Sequence, residues 1–163
     1  MRCSRLPLVL GCVVVMGCST EMSLRQVTEA EQAVNSRLDT WVRALNNGEL
    51  DTLLLMHHRV SELTVIWGTG QEAHGWEEEE TAYREFFASI ERMNLAMQRP
   101  SIEILSPQFA ITTLRHSTDV IREGGERDAP MAGHVTLVWV KDPTDDEWKI
   151  HLSHMSYRPP TIN

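Results

Sequence analysis

Thr28-Glu29-Ala30-Glu31 opens a stretch in which Val27, Ala30, Val34, Leu38, Trp41 and Leu45 recur at steps of three or four, until Asn46-Asn47-Gly48-Glu49-Leu50-Asp51 breaks the pattern. The spacing is that of one face of a long helix, and Thr28 with Glu31 has the form of a capping box. Asn46-Asn47-Gly48 tolerates the left-handed backbone that ends a helix, and Glu49 and Asp51 suit the start of a second, shorter one carrying Leu50, Leu53, Leu54 and Leu55. His57 and His58 follow at its C-terminal end, where a surface position is expected because cationic character is favourable there. Working outward, Val60 to Trp67 reads as a strand closed by the turn Gly68-Thr69-Gly70. Gly75-Trp76-Glu77-Glu78-Glu79-Glu80 begins a third helix whose acidic first turns suit its dipole and whose apolar face is Tyr83, Phe86, Phe87, Ile90 and Met93. Strands are expected at 97–105, 108–122, 131–141 and 147–157, separated by turn-forming segments. Helices first and hairpin-linked strands later give an α+β fold with an antiparallel sheet.

The chain has 163 residues, 42% of them apolar, which suits a single domain with a proper core. All three cysteines, Cys3, Cys12 and Cys18, lie near the N-terminus, so the rest holds no disulfide framework, redox pair or thiolate metal site. The formal net charge is −8, becoming −10 once Arg2 and Arg5 are removed with a leader, which repels phosphate backbones and argues against nucleic-acid binding. Arg2 and Arg5 precede the uncharged run 6–17, too short to span a bilayer and shaped like a secretory signal. Val15-Met16-Gly17-Cys18 resembles the bacterial lipoprotein box, which implies lipidation of Cys18. Ser19 after it resembles the outer-membrane sorting pattern, implying anchorage at the periplasmic face with no other membrane contact. The expected organisation is a signal peptide at 1–17, a lipidated Cys18 and tether at 18–26, the domain at 27–158 and a tail at 159–163.

Leu38-x-x-Trp41-x-x-Ala44-Leu45-Asn46-Asn47-Gly48-Glu49-Leu50-Asp51, the Gly75-Trp76-Glu77 helix opening and the final Trp148-Lys149-Ile150-His151-Leu152-Ser153-His154-Met155-Ser156 resemble the SnoaL-like branch of the nuclear transport factor 2-like superfamily. The resemblance covers about residues 27 to 158. It implies a cone-shaped, strongly curved antiparallel sheet wrapped around the long first helix, with a pocket at its open end and often a homodimer. It implies little about activity, because the superfamily includes isomerases, cyclases, dehydratases and members with no known reaction.

Among residues that could carry chemistry, His154 comes first. Strict alternation on the last strand places Trp148, Ile150, Leu152, His154 and Ser156 on one face, pointing His154 inward as a proton shuttle, a ligand-orienting group or a buried structural histidine. His151-x-x-His154 fails as a zinc motif because residues three apart on a regular strand face opposite ways, which only a bulge would change. On 108–122, one face carries Ala110, Thr112, Leu114, His116, Thr118 and Val120, and the other carries Arg115, Asp119 and their partners. If the first faces inward, His116 lines the pocket and Arg115 pairs with Asp119 outside. If the second does, Arg115 and Asp119 form a polar site. His134 is expected opposite the apolar face Val135, Leu137 and Trp139, and Val138 and Val140 offer a dimer surface. Trp41, Trp67 and Tyr83 are core residues or the walls of an apolar cavity.

No metal or cofactor is expected. The proton-base carboxylate and oxyanion donor of ketosteroid isomerase-like members have no matching dyad here, since the early strand carries only Glu62 near its start. No nucleophile elbow, P-loop or dinucleotide fingerprint is present. Three functions stand. The first is an envelope lipoprotein holding a small, largely apolar molecule. The second is a cofactor-independent acid/base enzyme of isomerase, cyclase or dehydratase type using His154 with His116 or Asp119. The third is a pocketless dimerisation module.

Overall fold

The computed structural model describes residues 22–158, so the leader, Cys18 and the tail lie outside the described residues. The first helix, α1 (Leu24–Asn47), starts a turn earlier than the Thr28 signal suggested. Ser23 is the N-cap and Gln26 closes a capping box with it, so part of the expected tether is helix. Thr28 Oγ1 instead donates to the Leu24 carbonyl. The stripe Val34, Leu38, Trp41, Ala44 and Leu45 is buried, and Gly48, at φ 67°, ends the helix as the sequence indicates.

After α2 (Leu50–Leu55) come β1 (Thr64–Ile66), β2 (Glu72–His74), α3 (Trp76–Ala88), β3 (Ile90–Ser106), β4 (Phe109–Arg122), β5 (Met131–Lys141) and β6 (Trp148–Tyr157). They form one sheet in the order β2-β1-β6-β5-β4-β3. Every pairing is antiparallel except that of β1 with β6. The sheet curls around α1 as the cone-shaped α+β reading anticipates. Three further points differ from expectation. β1 covers only Thr64–Ile66 of the expected 60–67, because Val60 lies in a turn whose carbonyl accepts from the Leu63 and Trp76 N–H groups. Ile90 and Met93 belong to β3 rather than to α3, because pairing along almost the whole of β4 outweighs the helical spacing that they share with Phe86. β2 was not anticipated; a three-residue strand has too few positions to show alternation.

Gly133 explains part of the curvature. A Cβ built there would sit 1.7 Å from the Ser156 carbonyl oxygen, so the end of β6 closes on the backbone of β5 where no side chain intervenes.

The decisive irregularity is in β6. Val138 pairs with Leu152 and Trp139 with Ile150, leaving His151 as an extra residue opposite no partner. This bulge reverses the alternation beyond it. Ile150 points in, Leu152 points out with Val138, and Ser153, Met155 and Tyr157 come to the inner face beside Leu137, Val135 and Gly133.

Candidate functional site

Between α1 and the wide end of the sheet lies a cavity of about 390 Å³. Trp41 and Leu45 form its α1 wall, Trp67 closes β1, Tyr83 and Phe86 come from α3, and Met93, Val120, Met155 and Tyr157 come from the sheet. The lining is largely apolar. At the rim Arg122 holds Asp128 through two bonds of 3.1 and 2.6 Å and donates to Ser89 Oγ, fixing the segment between β4 and β5 against the end of α3. Tyr83 is the hub of the wall. Its ring meets Trp67 edge-on at 5.1 Å, stacks on Phe87 at 6.2 Å and touches the His57 ring at 5.3 Å.

Behind this wall lies a polar pair that the sequence reading missed. Glu79, one helical turn before Tyr83, is fully buried, and its Oε1 is 3.8 Å from His57 Nε2, also buried. His57 Nδ1 donates to the Leu53 carbonyl at 2.9 Å, which leaves Nε2 as the nitrogen facing the carboxyl. Neither Glu79 oxygen has a hydrogen-bond partner in the protein; the Trp67 indole N–H lies nearby without reaching bonding geometry. Burial pushes the Glu79 carboxyl up to about 8 and the His57 imidazole down to about 4, so desolvation keeps both neutral rather than paired as ions. Burial also raises the Tyr83 hydroxyl, with the Glu79 charge adding to it.

The expected surface place of His57 is therefore corrected. It lies past the end of α2, in the short segment bridged to Ile150 of β6, where its ring turns back to the Leu53 carbonyl and is buried against Tyr83. Glu79 sits four and seven residues before Tyr83 and Phe86, on the apolar face of α3, a spacing that was legible beneath the acidic run.

His154 is not in the site. It is exposed on the outer face opposite Thr136, because the bulge at His151 inverts the parity that pointed it inward. Arg115 and Asp119 are outside too. Arg115 is exposed, and Asp119 meets Arg127 at 3.3 Å rather than Arg115. The first of the two faces proposed for β4 is the inner one, with Ala110, Thr112, Leu114, His116, Thr118 and Val120 buried. His116 does not reach the cavity surface but stands one layer behind it. Its Nδ1 is 2.9 Å from Thr118 Oγ1 and its ring 5.5 Å from Tyr157, two residues that do line the cavity, while its Nε2 has no partner. Burial lowers its pKa. Trp41, Trp67 and Tyr83 all line the cavity, and His134 is exposed on the outer face. Among the described residues no three His, Cys, Asp or Glu side chains converge as a metal centre, and no helix is long and apolar enough to cross a membrane.

The sequence pattern described as the SnoaL-like domain matches residues 34–160. Among solved structures, a nuclear transport factor 2-like superfamily protein from Salmonella enterica superposes with a TM-score of 0.72 at 17% identity, covering 82% of this chain and 94% of that one. A nuclear transport factor 2-like protein of unknown function from Shewanella oneidensis is 25% identical, with a TM-score of 0.60 over 78% of this chain and 98% of its own. A hexachlorocyclohexane dehydrochlorinase of type 2 has a TM-score of 0.70 at 10% identity, over 83% of this chain and 90% of that one. No curated protein matches the chain.

The Glu79 carboxyl yields a pH test. Its folded value, about 8, lies above the ordinary 4.5, so the folded protein retains a proton that the unfolded chain releases. Stability is then fully present below the ordinary value and falls as pH rises towards the folded one, by up to about 1.4 kcal/mol per pH unit. Glu79→Gln, which cannot ionise, is expected to flatten this fall. Urea midpoints of both proteins at about pH 5 and about pH 8 check it; an equal fall in the two would show that Glu79 is not the titrating group.

Proposed function

This chain belongs to the SnoaL-like domain family of the nuclear transport factor 2-like superfamily, and from that premise we propose that its cone holds a small, largely apolar molecule. The cavity carries this reading. Its 390 Å³ falls in the range of small-ligand sites, and its walls are mostly aromatic and aliphatic, with hydroxyl groups, Gln71, Glu85 and the Arg122–Asp128 ion pair as the polar part of the lining. The existence of that volume argues against a pocketless module. Cofactor-independent acid–base catalysis is a second reading, favoured by one observation, the unpartnered Nε2 of buried His116 behind Thr118 and Tyr157. His154 and Asp119, the other groups considered for that chemistry, lie on the outer face. With His116 itself one layer back, holding a molecule is the reading that the geometry favours.

N-phenyl-1-naphthylamine, a neutral apolar fluorophore, is the probe. The wild-type protein is expected to bind it with a rise in emission. Val120→Trp, which builds an indole into the cavity from β4, is expected to weaken binding about tenfold or more, a loss of about 1.4 kcal/mol. Undiminished binding in a folded Val120→Trp protein would place the probe elsewhere and remove the cavity as the site.

The domain is proposed to be carried by an envelope lipoprotein, lipidated at Cys18 and facing the periplasm from the outer membrane. The charged, apolar and small-residue-Cys order of the leader supports this. Cys18→Ser is expected to move the protein from the detergent phase to the aqueous phase on cell fractionation; unchanged partitioning would sink the anchor.

A homodimer through the outer sheet face is the accompanying proposal. Val138 and Val140 lie there beside Ile111 and Phe109, and Phe109 and Leu105 are 46% and 55% exposed. Light scattering at tens of micromolar should give twice the chain mass, and Val138→Asp should halve it; a monomeric wild type would exclude the dimer.

A further inference from the structure

The bulge that inverts β6 also aims a side chain. The segment 56–58 runs beside the start of β6, with a parallel bridge between His57 and Ile150 and backbone bonds from Ile150 N–H to the Met56 carbonyl and from His58 N–H to the Ile150 carbonyl. His151, released from cross-strand pairing by the bulge, therefore lies next to His58, a residue 93 positions away. Their Nδ1 atoms are 3.3 Å apart, with ring centroids at 5.4 Å. Both rings are half-buried.

In the metal-free protein this contact is a hydrogen bond, the Nδ1–H of one ring donating to the Nδ1 of the other; with that proton moved to Nε2, both Nδ1 lone pairs open on the gap between the rings. Zinc–imidazole bonds are about 2.05 Å long, and two such sides on a base of 3.3 Å enclose an angle of about 107°. That is close to the tetrahedral angle. The charges around the pair have the sign that a cation needs. The Glu62 carboxylate interacts with both imidazoles and that of Asp142 with His58.

We propose that His58 and His151 form a two-nitrogen site for a divalent first-row transition-metal ion such as Zn²⁺ or Cu²⁺, placed at the seam between the 56–58 segment and β6. Each ring then carries its proton on Nε2, directed away from the ion, and water fills the remaining coordination positions. The ion would tie the segment after α2 to the last strand, and through His57 and Ile150 to the core beneath. Spacing along the chain could not show this site, since the ligands come from distant segments and one of them depends on a bulge.

The test is calorimetric titration of Zn²⁺ and Cu²⁺ into the full-length chain carrying Cys3→Ser, Cys12→Ser and Cys18→Ser, so that no thiol competes. One ion per chain is expected, with Cu²⁺ bound more tightly than Zn²⁺. His58→Gln and His151→Gln are each expected to weaken binding about tenfold or more, and His154→Gln, on the exposed outer face, to leave it unchanged. Imidazole nitrogen NMR of the unsubstituted histidine set gives a readout independent of variant folding: Zn²⁺ should shift Nδ1 of two of the seven histidines. Absence of binding, binding undiminished in either Gln variant, or a shift at Nε2 instead would overturn the site.

Discussion

One extra residue in the last strand governs most of what lies inside this cone. A strand presents alternate side chains to opposite faces, so a single insertion exchanges the two sets for every residue beyond it. At His151 that exchange brings Ser153, Met155 and Tyr157 to the cavity and sends Leu152 and His154 outward. The lost cross-strand pairing is offset by two gains visible in the geometry. Ile150 remains fully buried against Trp139, and the residues beyond the bulge enlarge an apolar lining instead of burying a histidine and a serine. Without the bulge the mouth would be lined by His154 and Ser156, and its chemistry would be polar.

That explains which parts of the site were legible in the sequence. Trp41, Trp67 and Tyr83 could be read as cavity walls because their positions follow from helix period and strand end, both local properties. The two faces of β4 were separable by the same alternation, though which one turned inward depended on packing. Leu114 and Val120 are shared with His116 and Thr118 on a face whose apolar content barely exceeds that of its opposite. His154 was misread because alternation is a rule about regular strands, and nothing in Trp148-Lys149-Ile150-His151-Leu152 marks the insertion. The α3 boundary failed for a related reason. Ile90 and Met93 continue the helical spacing, and only the partner strand β4, whose residues lie about thirty positions later, converts them to sheet.

The buried Glu79 and His57 show how an apolar cavity can coexist with a polar layer a few ångströms away. An ion pair at 3.8 Å would gain Coulomb energy, but removing both charges from water costs more where the carboxyl has no hydrogen bond and the imidazole only the one to the Leu53 carbonyl. Neutrality is the cheaper state, and it suits the neighbours. Tyr83 and Trp67 present edges and faces to this pair and to the cavity at once, so the aromatic wall separates the neutral buried pair from a largely apolar cavity. A charged Glu79 would put its field across that wall and favour water entering from the cavity side.

The cavity also needs α1 held at a fixed height above the sheet. Two polar anchors do this at separate points along the helix. Arg37 donates to the Trp148 carbonyl at 3.1 Å, and Asn46 bonds both the N–H and the carbonyl of Leu95 at 2.6 and 3.0 Å, satisfying backbone groups on opposite sides of the sheet. The nine residue steps from Arg37 to Asn46 span about 13.5 Å of helix. Trp41 lies in that interval, with its indole on the cavity. Because β6 and β3 are separated by two strands in the sheet order, the helix crosses the concave face as a strut rather than settling into it. Flattening the sheet would stretch one anchor or the other, so the hydrogen bonds of Arg37 and Asn46 resist the collapse that would close the cavity over Trp41.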